Sequence, residues 1–522
     1  SMMRTYYDIL RQDDFDAYFG DLWIGTHPTG ERNKYQVLYF DFSKAGCSMP
    51  GADLMTSFND YCSLIINQFA HVYAAFYDAD FKETVKNIES AKSKLAYIEI
   101  KAKEKGYPLY LIIDEYDNFT NVILSEHGQQ MFHDLTHASG FYREYFKQFK
   151  GMFDRIFMMG VSPVTLDDLS SGYNIDWNIS VDPRFNAMMG FDETEVREMF
   201  HYYQQNDMLN GDVEAMIAEM KPWYDNYCFA RKSLDDDRVF NCDMTLYYLR
   251  WQVDFHRAPE EMVDKNIRTD YSKLKMLARI DRDSVQEGDR MSTIEKIAAE
   301  GDIFVDLHTS FPAERITDID NFRSLLYYYG LLTMCGTRGD LIKMSIPNNC
   351  VREQYFGFLR DYYQKYSSID LHYLNVMLTD MAYDGRWKPF FESVAQAYRE
   401  NSAVRDAMEG ERNLQGFLKA YLALASYYLV EPELEMNYGY CDFFLLPDKK
   451  RYPDVKHSYI LELKYATRTA TDAELEVQAL EGRNQLLQYS EDKIVRCLSE
   501  GTTLHRLLLQ FRGWDLVRCE EV

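Results

Sequence analysis

Two apolar runs near the C-terminus, MNYGYCDFFLLP at residues 436–447 and SYILELKY at residues 458–465, carry charge where a buried strand has no structural use for it. In an extended strand alternate side chains share a face, so Glu462 and Lys464 point one way while Leu461, Leu463 and Tyr465 point the other. Asp442 interrupts the first run in the same manner. If the two strands pair as a hairpin across residues 448–457, Asp442 comes alongside Glu462, and two carboxylates and an ammonium meet at one point. Burying such charges without a partner or a metal costs several kcal/mol. A hard cation, Mg²⁺ or Mn²⁺, takes oxygen ligands and keeps several waters, which leaves room for a phosphate and an attacking water. Lys464 would then orient that water or stabilise the pentacoordinate charge. Phosphodiester hydrolysis suits this set; the alternative is a buried Asp/Lys ion pair in a plain sheet. The tripeptide pattern alone decides nothing, since Glu99 and Lys101 repeat it on a helix, where it reads as a solvated face. The basic loop between the runs, Lys449, Lys450, Arg451, Tyr452, Lys456 and His457, is the expected contact for a phosphate backbone.

The surroundings of this pair suggest a domain of their own. Helical patterns at residues 371–398 and 413–428 precede the strands and another at 472–489 follows them, an α-β-β-α order. Earlier in the chain the pattern differs. YQVLYFDF at residues 35–42, LYLIID at 109–114 and RIFMMGV at 155–161 read as buried strands. A long helix carrying Val85, Ile88, Ala91, Leu95 and Ile98 separates the first two, and a helical stretch at 129–149 precedes the third. Strands alternating with helices imply a parallel sheet with helices on its faces. Residues 192–364 read mostly as amphipathic helix, with FRSLLYYYGLLTM at 322–334 as packing rather than chemistry. A chain of 522 residues exceeds what one core organises. We therefore expect domains at residues 1–235, 236–370 and 371–522.

Composition narrows the function classes. No apolar run reaches the ~20 residues that span a bilayer, and the N-terminus lacks the pattern of a signal peptide. Nine cysteines without a C-x-x-C pair argue against structural zinc and a disulfide framework, and point to the cytoplasm. A formal net charge of −26 opposes adhesion to a polyanion over the whole surface. The expected partner is nucleic acid, DNA in the first instance, held by local contacts; no membrane is implied, and oligomerisation is left open.

The stretch GERNLQGFLKAYLALASYYLVEPE, followed by YGYCDFFLLP, YILELKY and NQLLQY, resembles the PD-(D/E)XK nuclease-like domain at the C-terminus of bacterial, Bacteroidetes-type AAA-ATPase-like proteins. The resemblance implies a restriction-endonuclease-like α/β domain in which Asp442 and Glu462 bind metal and Lys464 is catalytic. It also matches Glu411 to the helical acid and Gln485 to the polar residue of the following helix. Cys441 departs from the small or polar residue usual before the first acid.

The N-terminal strands resemble the ATPase part of the same proteins, a P-loop-NTPase-like parallel sheet. YLIIDEYDNF at residues 110–119 has the form of a Walker B strand, where Asp114 would hold Mg²⁺ through water and Glu115 would polarise the attacking water. FMMGVSPVTLDDLSSGYNI, FNAMMGFDETEV and KPWYDNYCF extend the resemblance, and Ser162 falls at the sensor position. Phosphate binding by this fold needs a Gly-Lys-Ser/Thr loop, and no Gly-Lys dipeptide occurs in the chain. The expectation is an incomplete module that begins after its P-loop, with ATP bound only if that loop is restored and no ATPase activity from this chain. The function read from the sequence is a metal-dependent nuclease attached to that module; the alternative is a non-catalytic nucleic-acid or protein interaction scaffold.

Overall fold

The structure is a computed structural model that describes residues 2–45, 54–117, 145–146, 148–149, 151–165, 177–236, 238–264, 272–279, 287–312, 315, 318–364, 370–400, 411–424, 427–436, 439–449 and 451–522. Packing divides the chain into two units, residues 1–177 with 308–321, and residues 178–307 with 322–522. The expected boundaries at 235/236 and 370/371 both fall inside the second unit.

In the first unit a helix α1 (Met2–Tyr7) precedes strand β1 (Gln36–Asp41), and helices α2 (Leu54–Val72), α3 (Phe81–Asn87) and α4 (Ala91–Lys105) lead to β2 (Leu109–Asp114) and β3 (Arg155–Met158). The three strands form a parallel sheet in the order β1-β2-β3, in register from Gln36 opposite Leu109 to Asp41 opposite Asp114. β2 is apolar on both faces because both are covered. Tyr35, Val37, Tyr110 and Ile112 pack with Met3 and Tyr7, while Phe42 meets Phe58 of α2 at 5.2 Å between ring centres.

The single helix expected through Val85 and Ile98 is two helices. Ile88 is extended (φ −73°, ψ 130°) and α4 restarts after Ser90. The reason is Lys94, whose buried ammonium donates to the carbonyls of Val85 (2.6 Å) and Lys86 (3.1 Å). It supplies the donors that the end of α3 lacks. Gly106 ends α4 in the left-handed region (φ 75°), as the sequence suggests. Most of the helical stretch expected at 129–149 lies outside the described residues.

In the second unit α5 (Glu193–Gln205), α6 (Val213–Tyr224) and α7 (Cys242–Phe255) share a core of Val196, Phe200, Ile217, Met220, Tyr248 and Leu249. After α8 (Glu287–Glu300) the region expected to be mostly helical contains a small antiparallel sheet of β4 (Asp302–Val305), β5 (Thr333–Arg338) and β6 (Leu341–Ser345). The tyrosine-rich run divides: its helix ends at Tyr328, Gly330 turns the chain at φ 72°, and Thr333 begins β5.

Helices α9 (Asn349–Gln364), α10 (Leu371–Asp384), α11 (Lys388–Glu400) and α12 (Glu411–Leu422) then lead into the C-terminal sheet. That sheet contains β7 (Tyr428–Met436), β8 (Gly439–Pro447), β9 (His457–Ala466), β10 (Thr503–Arg512) and β11 (Asp515–Glu521), with α13 (Asp472–Ser490) between β9 and β10. The order is β11-β10-β9-β8-β7, with β9 and β10 parallel and the other pairs antiparallel. Five strands stand where two were expected. β7 lies between the segment read as helical, 413–428, and the strand expected from Met436, and β10 and β11 were not anticipated. α13 covers one face, packing Ala479, Leu486 and Tyr489 on Phe444, Ile460 and Leu508. A Cβ at Gly482 would lie 2.6 Å from Leu508 Cδ1, so any larger residue there would make the Leu508 side chain shift. No helix among the described residues is long and apolar enough to cross a membrane.

Candidate functional site

The β8–β9 ladder runs from Leu445 opposite Tyr459 to Phe443 opposite Leu461 and goes no further. The next residue of β8 is Asp442, whose Oδ2 accepts the Leu463 N–H at 2.7 Å. A side chain thus takes the amide that a strand carbonyl would otherwise take. The other oxygen, Oδ1, accepts from Gln415 Nε2 of α12 at 3.0 Å. The hairpin therefore brings Asp442 to the level of Glu462, as pairing across residues 448–457 implies.

Glu462 is 3% exposed. Its Oε1 accepts from Lys464 Nζ at 2.8 Å, two residues along the same face. Its Oε2 is buried and has no hydrogen-bond partner among the described residues. Burial pushes the Glu462 carboxyl well above the usual range, and the Asp442 charge raises it further, with the Lys464 ammonium pulling it back. Asp442 is raised too, first by burial and then by Glu411, against the Leu463 amide, Lys464 and Lys419. Two carboxylates that resist ionising together, with Lys464 as the one ammonium hydrogen-bonded to either of them among the described residues, form a site short of positive charge.

The other expected residues stand around this pair. Glu411 is exposed at the start of α12, near enough for its charge to act on both acids. Gln485 lies half-buried on α13 and hydrogen-bonds Tyr489, the buried residue one turn later, whose hydroxyl feels the charges of Glu462 and Asp442. Gln485 Oε1 is buried without a partner among the described residues.

Two contributors escaped the sequence reading, Gln415 and Lys419. With Glu411 they recur every four residues, one face of α12, and that spacing was the available signal. Lys419 is buried, donates to the Ala299 carbonyl of α8, and lies 5.7 Å from the Phe443 ring centre.

The basic loop does not adjoin this centre. His457 starts β9 and Lys464 lies seven residues on, which at ~3.3 Å per residue is ~23 Å away. Lys449 donates to the Glu500 carbonyl at 2.6 Å, and Lys450 lies outside the described residues.

In the first unit the carboxyl ends of β1 and β2 place Asp41 opposite Asp114. Asp114 Oδ2 accepts from the Tyr39 hydroxyl at 3.0 Å, and Asp41 pairs with Lys44 at 2.7 Å. Glu115 is exposed in the left-handed region (φ 53°), a conformation rare for a non-glycine residue. Asp117, which the sequence reading passed over, is buried and accepts from the amides of Val161 (3.2 Å) and Ser162 (2.6 Å). It ties the turn after β2 to the turn after β3 and thereby fixes Ser162, which is itself buried.

Among the described residues no three His, Cys, Asp or Glu side chains form a ready-made metal cage. The Asp442/Glu462 centre nevertheless fits a hard cation, because both donors are carboxylates and a buried oxygen of one of them lacks a partner. The C-terminal α/β domain thus brings two acids and a lysine together on one strand pair. Residues 409–521 match the PD-(D/E)XK nuclease superfamily, and residues 1–170 match the family described as a predicted AAA-ATPase. The chain thus carries an AAA-ATPase-like module and, at its C-terminal end, a PD-(D/E)XK nuclease domain, a class that acts on nucleic acid and generally uses divalent metals. Neither the curated proteins nor the solved structures gave a match.

Proposed function

We infer that residues 409–521 hydrolyse phosphodiester bonds in DNA with Mg²⁺ or Mn²⁺, and that Asp442 and Glu462 hold the ion. The observation that carries this reading is the buried Glu462 Oε2, without a hydrogen-bond partner among the described residues, beside Lys464. A native fold rarely leaves such an oxygen without a purpose. A bound divalent ion would supply Lewis-acid polarisation of the phosphate and a lower pKa for water. The chain supplies the rest. Glu462 Oε1 holds the Lys464 ammonium within the site, where its other N–H bonds can reach a phosphate oxygen or orient a water. The Leu463 amide and Gln415 fix Asp442. Gln485 and Glu411 border the site as further polar contacts. The free cysteines among the described residues suit a reducing cytoplasm.

The N-terminal module supports the reading of Asp114, Glu115 and Ser162 as a nucleotide-facing set, since Asp114 ends β2, Glu115 follows it, and Ser162 lies in the turn after β3, tied to the first turn by Asp117. A chain without a Gly-Lys-Ser/Thr loop binds ATP weakly. Thermal unfolding with ATP should show no shift, where a ligand at 100 times its Kd would add about 2.7 kcal/mol.

Incubating the full chain with duplex DNA, single-stranded DNA and RNA in Mg²⁺, Mn²⁺ or EDTA tests the nuclease reading. DNA cleavage is expected with either ion, with loss to background in Asp442→Ala and Glu462→Ala. Lys464→Ala should keep the ion and lose about 10²- to 10⁴-fold in rate. Cleavage by Glu462→Ala at the wild-type rate would end the proposal. The net charge of −26 favours a second reading, a non-catalytic scaffold. That reading requires no cleavage of any substrate with any ion.

A further inference from the structure

Asp442 has two oxygens and two donors. The Leu463 amide belongs to the backbone of β9 and would be there whatever the side chains were. The Gln415 donor comes from a different layer, the helix α12, and meets Oδ1 at 3.0 Å. Each oxygen keeps a lone pair after these bonds, and the carboxylate plane is held from two directions.

The chemistry of the second donor matters as much as its position. A lysine or arginine there would neutralise Asp442 and compete with any cation; an acid would add repulsion to a pair already raised by burial and by neighbouring carboxylates, Glu411 acting on Asp442 and both Asp442 and Glu411 on Glu462. A neutral amide donates a hydrogen bond and leaves the negative charge intact. Gln415 is the only residue type among those on its helix face, Glu411, Gln415 and Lys419, that meets both demands. The helix holding it is anchored from behind: Lys419, one turn on, donates to the Ala299 carbonyl at the end of α8, and Gly416 faces that helix, where a Cβ would sit in ordinary contact, 3.5 Å from the Glu295 carbonyl oxygen. Gln415 is therefore presented from a braced helix and not from a mobile loop.

We propose that Gln415 is a positioning residue, which orients the Asp442 carboxylate for a divalent cation without touching the cation itself. The proposal rests on the nuclease reading for its ion and adds a residue to it. Partners of this kind typically set metal affinity by about 10- to 100-fold.

The test is Mn²⁺ binding by calorimetry on the full chain without nucleic acid, for wild type, Asp442→Asn, Gln415→Met and Gln415→Ala. Methionine keeps the length and apolar bulk of glutamine and removes the donor. Both Gln415 variants should bind Mn²⁺ about 10- to 100-fold more weakly, at an unchanged thermal midpoint for Gln415→Met. In cleavage assays the metal concentration needed should rise by the same factor, while kcat at saturating metal and KM for the oligonucleotide stay within about threefold of wild type. Equal Mn²⁺ affinity in wild type and Gln415→Met, or no Mn²⁺ binding by wild type, overturns the positioning role. A wild type that binds Mn²⁺ through Asp442, loses affinity in Gln415→Met, and cleaves neither DNA nor RNA sinks the nuclease reading and keeps the role of Gln415.

Discussion

Asp114 and Glu462 both sit on buried strands, yet the chain treats them differently. Asp114 is the last residue of β2, half-buried, with the Tyr39 hydroxyl on one oxygen. Glu462 lies inside β9, buried, with Lys464 on one oxygen and nothing described on the other. A strand-end acid reaches solvent and costs the fold little. A mid-strand acid must be paid for by a partner, and here the partner is the Lys464 ammonium, with a second buried carboxylate, Asp442, close by. The contrast separates an acidic edge that the first unit tolerates easily from a centre that the second unit holds at the expense of stability.

Removing the ammonium should break that balance hardest. Lys464→Met leaves the Glu462 charge uncompensated and is expected to cost about 3 to 5 kcal/mol near pH 8. The loss should shrink on acidification, because a proton on Glu462 relieves the charge. Denaturant melts at two pH values measure it, and equal losses at both would show that the pair is packing and not electrostatics.

Glu295 sharpens the comparison, since it is buried without a lysine. It accepts from the Tyr363 hydroxyl at 2.9 Å, and burial pushes its carboxyl up to about 7 against the pull of that hydrogen bond. A raised folded-state value means that the native form holds its proton longer than the unfolded chain does. The stabilisation is complete below the ordinary value of 4.5 and is lost as pH rises through about 7. At 1.36 kcal/mol per unit that is roughly 3 kcal/mol. Glu295→Gln should flatten stability over this window, and a variant that keeps the wild-type slope would place the titration elsewhere.

Glu462→Gln should separate stability from function. Relieving the repulsion with Asp442 is expected to stabilise the domain by about 1 kcal/mol, a rise of about 2–4 °C in Tm, while cleavage is lost. A fall in Tm would mean that the ion pair with Lys464 outweighs the repulsion. The smallest effect belongs to the first unit. Asp114→Asn keeps an oxygen for Tyr39 and should change stability by no more than about 0.5 kcal/mol. A larger loss would show that this edge too is electrostatically constrained.

Much of the site was legible because it is local. Period-two alternation alone puts Glu462 and Lys464 on one face, and the turn chemistry at Gly106 ends α4 as read. The parallel core of β1, β2 and β3 followed from apolar runs that need cover on both sides. Shorter and less apolar strands were hidden. β10 mixes charge with its apolar residues, β11 is largely polar, and β4 to β6 are four to six residues long inside a helical background. The split of α3 from α4 depends on Lys94 reaching carbonyls eight and nine residues back, which no helical period records.

By itself the sequence determined which residues share a face, because that depends on the backbone repeat and on nothing distant. Only the tertiary structure decided that Asp442 would take the Leu463 amide, that Gln415 would reach Asp442 from another layer, and that Glu462 would be sealed from water. These are contacts between segments 20 or more residues apart, and their geometry is set by how helices and sheet pack and not by any local preference.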